Sequence, residues 1–313
     1  MSRFLLQRLL ATIPVMAIVA TIVFLLLRLS AGDPAAILAG DAATPATIAA
    51  IRTRLGLDQP MVVQLVRWFW QLLHGDLGTS IISNQGVAHL IADRLAPTLA
   101  LSVTTILFAI LVAVPLGVLA AWKHGTIVDR AVMTLSVVGF SMPVFVLGYL
   151  WILGFAMHLR WLPVQGFSPL GNGVGPFLAH LVLPTLTLSV IYIALIARIT
   201  RASVLEVLGE DYIRTARAKG VPERSVLLRH ALANAAVPIV SVIGIGIALL
   251  IGGVVVTESV FNLPGLGRLT VDAVLARDYP VIQGIILVFS GVYVLVNLAV
   301  DLAYVLLDPR IRY

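Results

Sequence analysis

The sequence predicts an all-α integral membrane protein with six transmembrane helices. Three observations predict it. Of 313 residues, 60% are hydrophobic and only 12% charged, where a soluble domain carries about 25% charge. Mean hydropathy is +1.04. Six stretches lack Asp, Glu, Lys and Arg over about the 20 residues that a spanning helix needs. This composition excludes disorder, collagen and a disulfide scaffold. Cysteine is absent, which excludes disulfides, a thiol nucleophile and thiolate metal sites.

The spans fall at roughly 9–29, 97–121, 132–157, 177–197, 234–257 and 281–302. The first follows Arg3 and Arg8, as a secretory signal would. Its apolar run exceeds the about 7–15 residues of a signal core and no clean small-residue cleavage site follows, so it reads as an uncleaved span. Residues 1–30 are thus an N-terminal stub and helix 1, and 308–313 a short tail.

Residues 31–96 form the one large segment between spans. Thr44-Pro45 reads as an N-cap followed by proline at the first helical position, with Gly56 as the stop. Ile48, Ile51 and Leu55 then share a face. A second helix fits Met61–Leu73, apolar except for a stripe of Gln64, Arg67 and Gln71. It is too short to span, and Trp68 and Trp70 suit an interface. It lies on the membrane or on the protein's own outer face, or it docks an external partner.

Basic residues orient the chain. With both termini inside, the short inner segments hold Arg3, Arg8, Lys123, Arg130, Arg198, Arg201, Arg214, Arg217, Lys219, Arg224, Arg229, Arg310 and Arg312. The short outer loops hold only Arg160, Arg268 and Arg277. The imbalance predicts cytoplasmic termini and places 31–96 outside. It also accounts for a pI near 10.1 without invoking nucleic acid.

The inner loop 198–236 carries the most information. Ile199, Val204, Leu205 and Leu208 extend a helix beyond the fourth span, and Asp211–Lys219 continues in helical character. Gly220 is a helix stop tolerant of φ > 0. Pro222 and Glu223 suit the first turn of a new helix over Ser225–Ala235. Two short helices meeting at a corner make a handle that a soluble partner can grip; the plainer alternative is a basic loop that only fixes topology.

Within the spans, Ser102, Thr104, Thr105, Ser136, Ser141 and Ser241 either line a pathway or bond to helix carbonyls. Pro115, Pro143 and Pro184 are expected kinks. Gly244, Gly246, Gly252 and Gly253 allow close helix approach. Glu258 and Arg268 bracket the loop after the fifth span, contacting an external partner or pairing in solvent. Asp301 is the only acidic residue inside a predicted span, and pairing with a basic loop residue is expected.

Three other function classes fit poorly. A secondary transporter places ionisable groups or discontinuous helices at the midplane, whereas these span centres lack Asp, Glu, Lys and Arg. An intramembrane enzyme is not supported, since neither H-E-x-x-H nor G-x-S-x-G occurs, and the six histidines show no i, i+3 or i, i+4 pairing. No G-x-x-x-x-G-K-[ST] is present, so energy from ATP requires a partner.

The stretch DYIRTARAKG resembles the EAA loop of binding-protein-dependent ABC importer permeases, written EAA-x3-G-x9-I-x-LP. Ala216 and Gly220 match; Arg214, Thr215, His230 and Ala233 depart from it. YIRTARAKG followed by RHAL-x-NA-x2-P is instead similar to the B-type permeases of the dipeptide, oligopeptide, glutathione and nickel branch. RFLLQRLL, Gly32-Asp33-Pro34, LGLDQPMVVQ, GDLGTS, TESVFNLPGLGRL and VDLAYVLLDPRIRY extend the resemblance over the whole chain.

The resemblance implies the type I ABC importer permease fold, with the transmembrane domain over 97–307. It implies a non-catalytic subunit that binds no cofactor itself, ATP being used by its partners. Those are a second permease, two cytoplasmic ATPase subunits and a periplasmic or lipid-anchored binding protein, all at the bacterial inner membrane. Mapped here, the ATPase contact falls on Ala216, Arg217, Lys219, Gly220, Val221 and Pro222, with Arg214 and Arg224 adding salt-sensitive contacts. The fifth span, with Ser241, Gly244 and Gly252, lies near the path and the partner permease. Peptides are the expected cargo, with nickel, glutathione or another small solute as alternatives.

Overall fold

The computed structural model describes residues 2–29, 35–36, 44–54 and 56–307. Gly32-Asp33-Pro34, Leu55 and the 308–313 tail lie outside the described residues. The described chain is helical throughout, apart from loops and one isolated bridge between Thr79 and Gly86. It divides into two compact units, one of residues 1–95 with 269–294, the other of 96–268 with 295–313.

In the first unit, α1 is Ser2–Leu29. Helix α2, Pro45–Arg54, begins as expected: Thr44 Oγ1 accepts the Thr47 N–H at 3.3 Å. Gly56 follows at φ +66°. Helix α3 is Met61–Leu73. It buries no residue fully and leaves Val62, Val66, Trp70 and Leu73 exposed. Trp68 packs on Phe24 of α1 at 5.5 Å between ring centroids, so one of the two tryptophans is spent on an internal contact. Asp278 is buried, and its carboxylate accepts the Ser80 hydroxyl at 2.5 Å and the Ile81 N–H at 3.1 Å. The 78–86 turn is thereby pinned to the start of the last helix.

In the second unit the core forms around α7, Val174–Leu208. Its Leu181, Leu183, Leu188, Tyr192 and Ile196 are buried against α4 (Val87–Trp122), α6 (Val144–Trp151) and α10 (Ala236–Val260). Small residues let these backbones approach, as helices in a bilayer require. A Cβ at Gly117 of α4 would lie 2.6 Å from Thr200 and 2.7 Å from the Ala197 carbonyl of α7. The last helices are α11, Leu266–Leu275, and α12, Tyr279–Leu307.

Helices α4, α7, α10 and α12 are long and apolar enough to cross a membrane; α1 contributes a shorter apolar stretch, Leu10–Leu25. The third predicted span, 132–157, departs from expectation. It is two helices, α5 (Ile127–Ser141) and α6, bent by 102°. The cause is Pro143, whose ring disfavours helical backbone at the residue before it. Met142 is accordingly extended, at φ −83° and ψ 129°. Pro115 and Pro184, by contrast, lie inside unbroken helices. Beyond α6 the chain continues as a π-helix, Ile152–His158.

Candidate functional site

The corner in loop 198–236 forms as the residues dictate. After α7, Gly209 and Glu210 lead into α8, Asp211–Ala218. Ile213 and Ala216, three apart, are its buried stripe. The other six residues are exposed. The helix ends in a Schellman closure: Val221 N–H donates to the Ala216 carbonyl at 3.2 Å, and Gly220 N–H to the Arg217 carbonyl at 2.9 Å. This closure needs a left-handed residue, and Gly220 has φ +77°. Pro222 then caps α9, Glu223–Ser225, which runs on as a π-helix over Val226–Leu232 rather than as the ordinary helix expected.

A fork braces the corner. Arg217 Nε donates to Glu223 Oε2 at 3.1 Å and Nη2 to Oε1 at 2.7 Å. This bonding holds the Glu223 carboxyl below its usual range and raises the Arg217 guanidinium above its own. Arg214 sits 3.1 Å from Asp211 on the exposed face. Arg217 and Arg214 are therefore engaged within the corner. Lys219 and Arg224 are exposed. Neither has an ion-pair partner among the described residues. Val221 is half-buried and Pro222 exposed. Sequence reasoning missed the fork; the available signal was opposite charges flanking a Gly-Val-Pro turn.

A second polar cluster lies in the same unit. Asp129, buried at the start of α5, accepts Arg201 Nε at 2.5 Å and Nη2 at 2.8 Å, and the Gly125 N–H at 3.0 Å. His124 Nδ1 lies 3.2 Å from Asp129 Oδ2 and 3.1 Å from Arg201 Nη2. Asp129 is the only acid between the second and third predicted spans.

The embedded positions divide. Ser141 and Ser241 each donate to a carbonyl one turn back, Val137 at 2.8 Å and Val237 at 2.7 Å, and Ser241 also accepts the Tyr304 hydroxyl at 2.7 Å. Gly244 is a close-approach position, since any Cβ would overlap Val300 of α12. Gly252 is not: nothing lies within 4 Å of a Cβ built there. Glu258 does not lie in solvent. It is fully buried, accepting the Thr98 hydroxyl at 2.6 Å and the Arg268 N–H at 3.0 Å. Gly265 and Gly267 make room for its carboxylate. Those glycines were the overlooked signal, because glycine marks close backbone approach.

The family model of the binding-protein-dependent transport system inner membrane component matches residues 113–313, and that of its N-terminal part matches 1–102. The chain belongs to this family. It is a non-catalytic, multi-pass membrane permease subunit of an ABC importer. It is 56% identical to a probable peptide ABC transporter permease of Sinorhizobium fredii, over 100% of both chains. It is 46% identical, again over 100% of both, to a putative peptide transport system permease of Brucella abortus and to a glutathione transport system permease of Salmonella typhi. A chain of the inward-facing MetNI methionine ABC transporter superimposes with a TM-score of 0.59 at 20% identity, covering 71% of this permease and 97% of that chain. That likeness establishes the type I permease fold.

Proposed function

We propose that this permease forms half of the translocation pathway for small peptides across the bacterial inner membrane, by alternating access. The observation that carries the cargo is the full-length 56% identity to the Sinorhizobium peptide permease. The corner at Ala216–Arg224 is the handle for ATPase subunits. Its exposed cations Lys219 and Arg224 supply steering charge, and the Arg217–Glu223 fork keeps its shape. The partners are a second permease, two ATPase subunits and an external binding protein. Both termini lie in the cytoplasm, the 31–96 segment lies outside, and residues 97–307 form the transporter domain. Six spans result when α1 and the bent α5–α6 pair each count as one.

The test is ATP-dependent uptake of labelled di- and oligopeptides by proteoliposomes holding the complete complex and its binding protein. Peptide uptake that ceases without ATP is the expected result. Glutathione is the second substrate to assay, because the Salmonella glutathione permeases align over the full length at 46% identity. Uptake of glutathione alone would reassign the cargo. Uptake driven by an ion gradient without ATPase subunits would overturn the mechanism.

A further inference from the structure

We propose that the Asp129–Arg201 ion pair is the tie that carries motion of the corner into the bent α5–α6 pair. It is a positioning element for transport, and it rests on the functional reading above. One buried carboxylate joins three pieces of chain: the 123–126 turn through Gly125 N–H, the first turn of α5, and α7 through the guanidinium fork. Arg201 stands seven residues before the end of α7 at Leu208, about two turns of helix from the corner. A displacement of α8 therefore reaches Arg201 across the two-residue Gly209-Glu210 link and then along α7.

On the other side, Asp129 sits at the start of the rod that ends at the 102° bend. Further along that rod a Cβ at Gly139 would lie 2.7 Å from Val190 of α7, so the two helices also touch near the bend. The fork closes the end of this pair nearest the corner. Its geometry favours unitary movement: Asp129 has only 5% of its side chain exposed and Arg201 22%, and separating them would leave a buried charge without its partner. Elsewhere in the same loop the ion pairs are exposed and local, as Arg214–Asp211 is. Only this one, among the described residues, links the helix that carries the corner to the broken span.

The experiment uses the complete complex in proteoliposomes, measuring uptake, ATP hydrolysis and the amount of assembled complex together. Asp129→Asn and Arg201→Gln should assemble and hydrolyse ATP, yet transport at least about fivefold less per ATP consumed, a typical lower bound for a coupling between sites. Arg201→Lys, which keeps the charge, should recover part of the loss. Because the chain has no cysteine, Asp129→Cys with Arg201→Cys can be bridged by a short thiol-reactive linker. Bridging should restore coupling in the same preparation and cleavage of the linker should remove it, which separates the tie from any folding defect. Unchanged transport per ATP in assembled variants would overturn the proposal, as would losses that merely follow the amount of complex, or a bridge without effect. Failure of the unmodified complex to couple uptake to ATP would instead overturn the functional reading.

Discussion

Replacing Gly220 by valine perturbs the corner in a single, calculable way. The residue has φ +77°, and a Cβ built on it meets nothing within 4 Å. The cost is therefore backbone strain without collision, roughly 1–2 kcal/mol for a residue with a Cβ in left-handed conformation. Valine, branched at Cβ, falls at or above the top of that range. A strain of about 1.4 kcal/mol shifts the balance between closed and open corner about tenfold. Asparagine occupies this region more readily and should cost less. The assay is binding of ATPase subunits to the permease in detergent, followed by uptake per ATP in proteoliposomes. The expected order is glycine, asparagine, alanine, valine, with valine retaining membrane insertion and losing about thirtyfold in binding, the equivalent of roughly 2 kcal/mol. Wild-type binding and uptake by the valine variant would show that the left-handed backbone at Gly220 is not needed for the corner. Equal damage from asparagine and valine would mean that space rather than φ is limiting.

Further outcomes follow from other contacts. Arg217→Ala and Glu223→Gln should each weaken ATPase binding modestly and non-additively, by under about 1 kcal/mol because the pair is part-exposed; a double-mutant cycle at low and high salt measures it. The Glu223 carboxyl is depressed by its partner, so the stability it adds is present above its usual value of 4.5 and is lost as pH falls through the lower folded value. Glu258→Ala should lower thermal stability by about 1–3 kcal/mol, since it removes the buried acceptor of the Thr98 hydroxyl and the Arg268 N–H; an unchanged melting curve would contradict the buried geometry. Gly244→Ala should destabilise by roughly 1–3 kcal/mol against Val300. Gly252→Ala should be neutral or stabilising by up to about 1 kcal/mol, and equal melting of the two variants would argue against that packing.

What the sequence disclosed was what depends on local chemistry. Apolar run length located the long helices, Thr44-Pro45 and Gly56 bounded α2, and the Gly220-Val221-Pro222 turn set the corner. The bend at Met142-Pro143 was legible as a proline kink, but its angle was not, because the angle depends on what α5 and α6 pack against. Glu258 was misread, and Asp129 and Asp278 passed without notice, for a related reason. Glu258, Asp129 and Asp278 take their main partners from residues far along the chain, Thr98, Arg201 and Ser80, and no local period announces such pairs. Gly252 looked like Gly244 because composition cannot tell which face of α10 meets α12.

If ATPase subunits grip this permease at the corner, crosslinkers placed there must reach them. The most direct measurement places single cysteines at Lys219, at Arg224 and at exposed Leu170 as a control, each carrying a photo-crosslinker, in the complex within membranes. Adducts with a Walker-motif ATPase subunit are expected from 219 and 224, changing in yield when ATP is bound, and none from 170. ATPase adducts from 170 with none from 219 or 224 would contradict that grip.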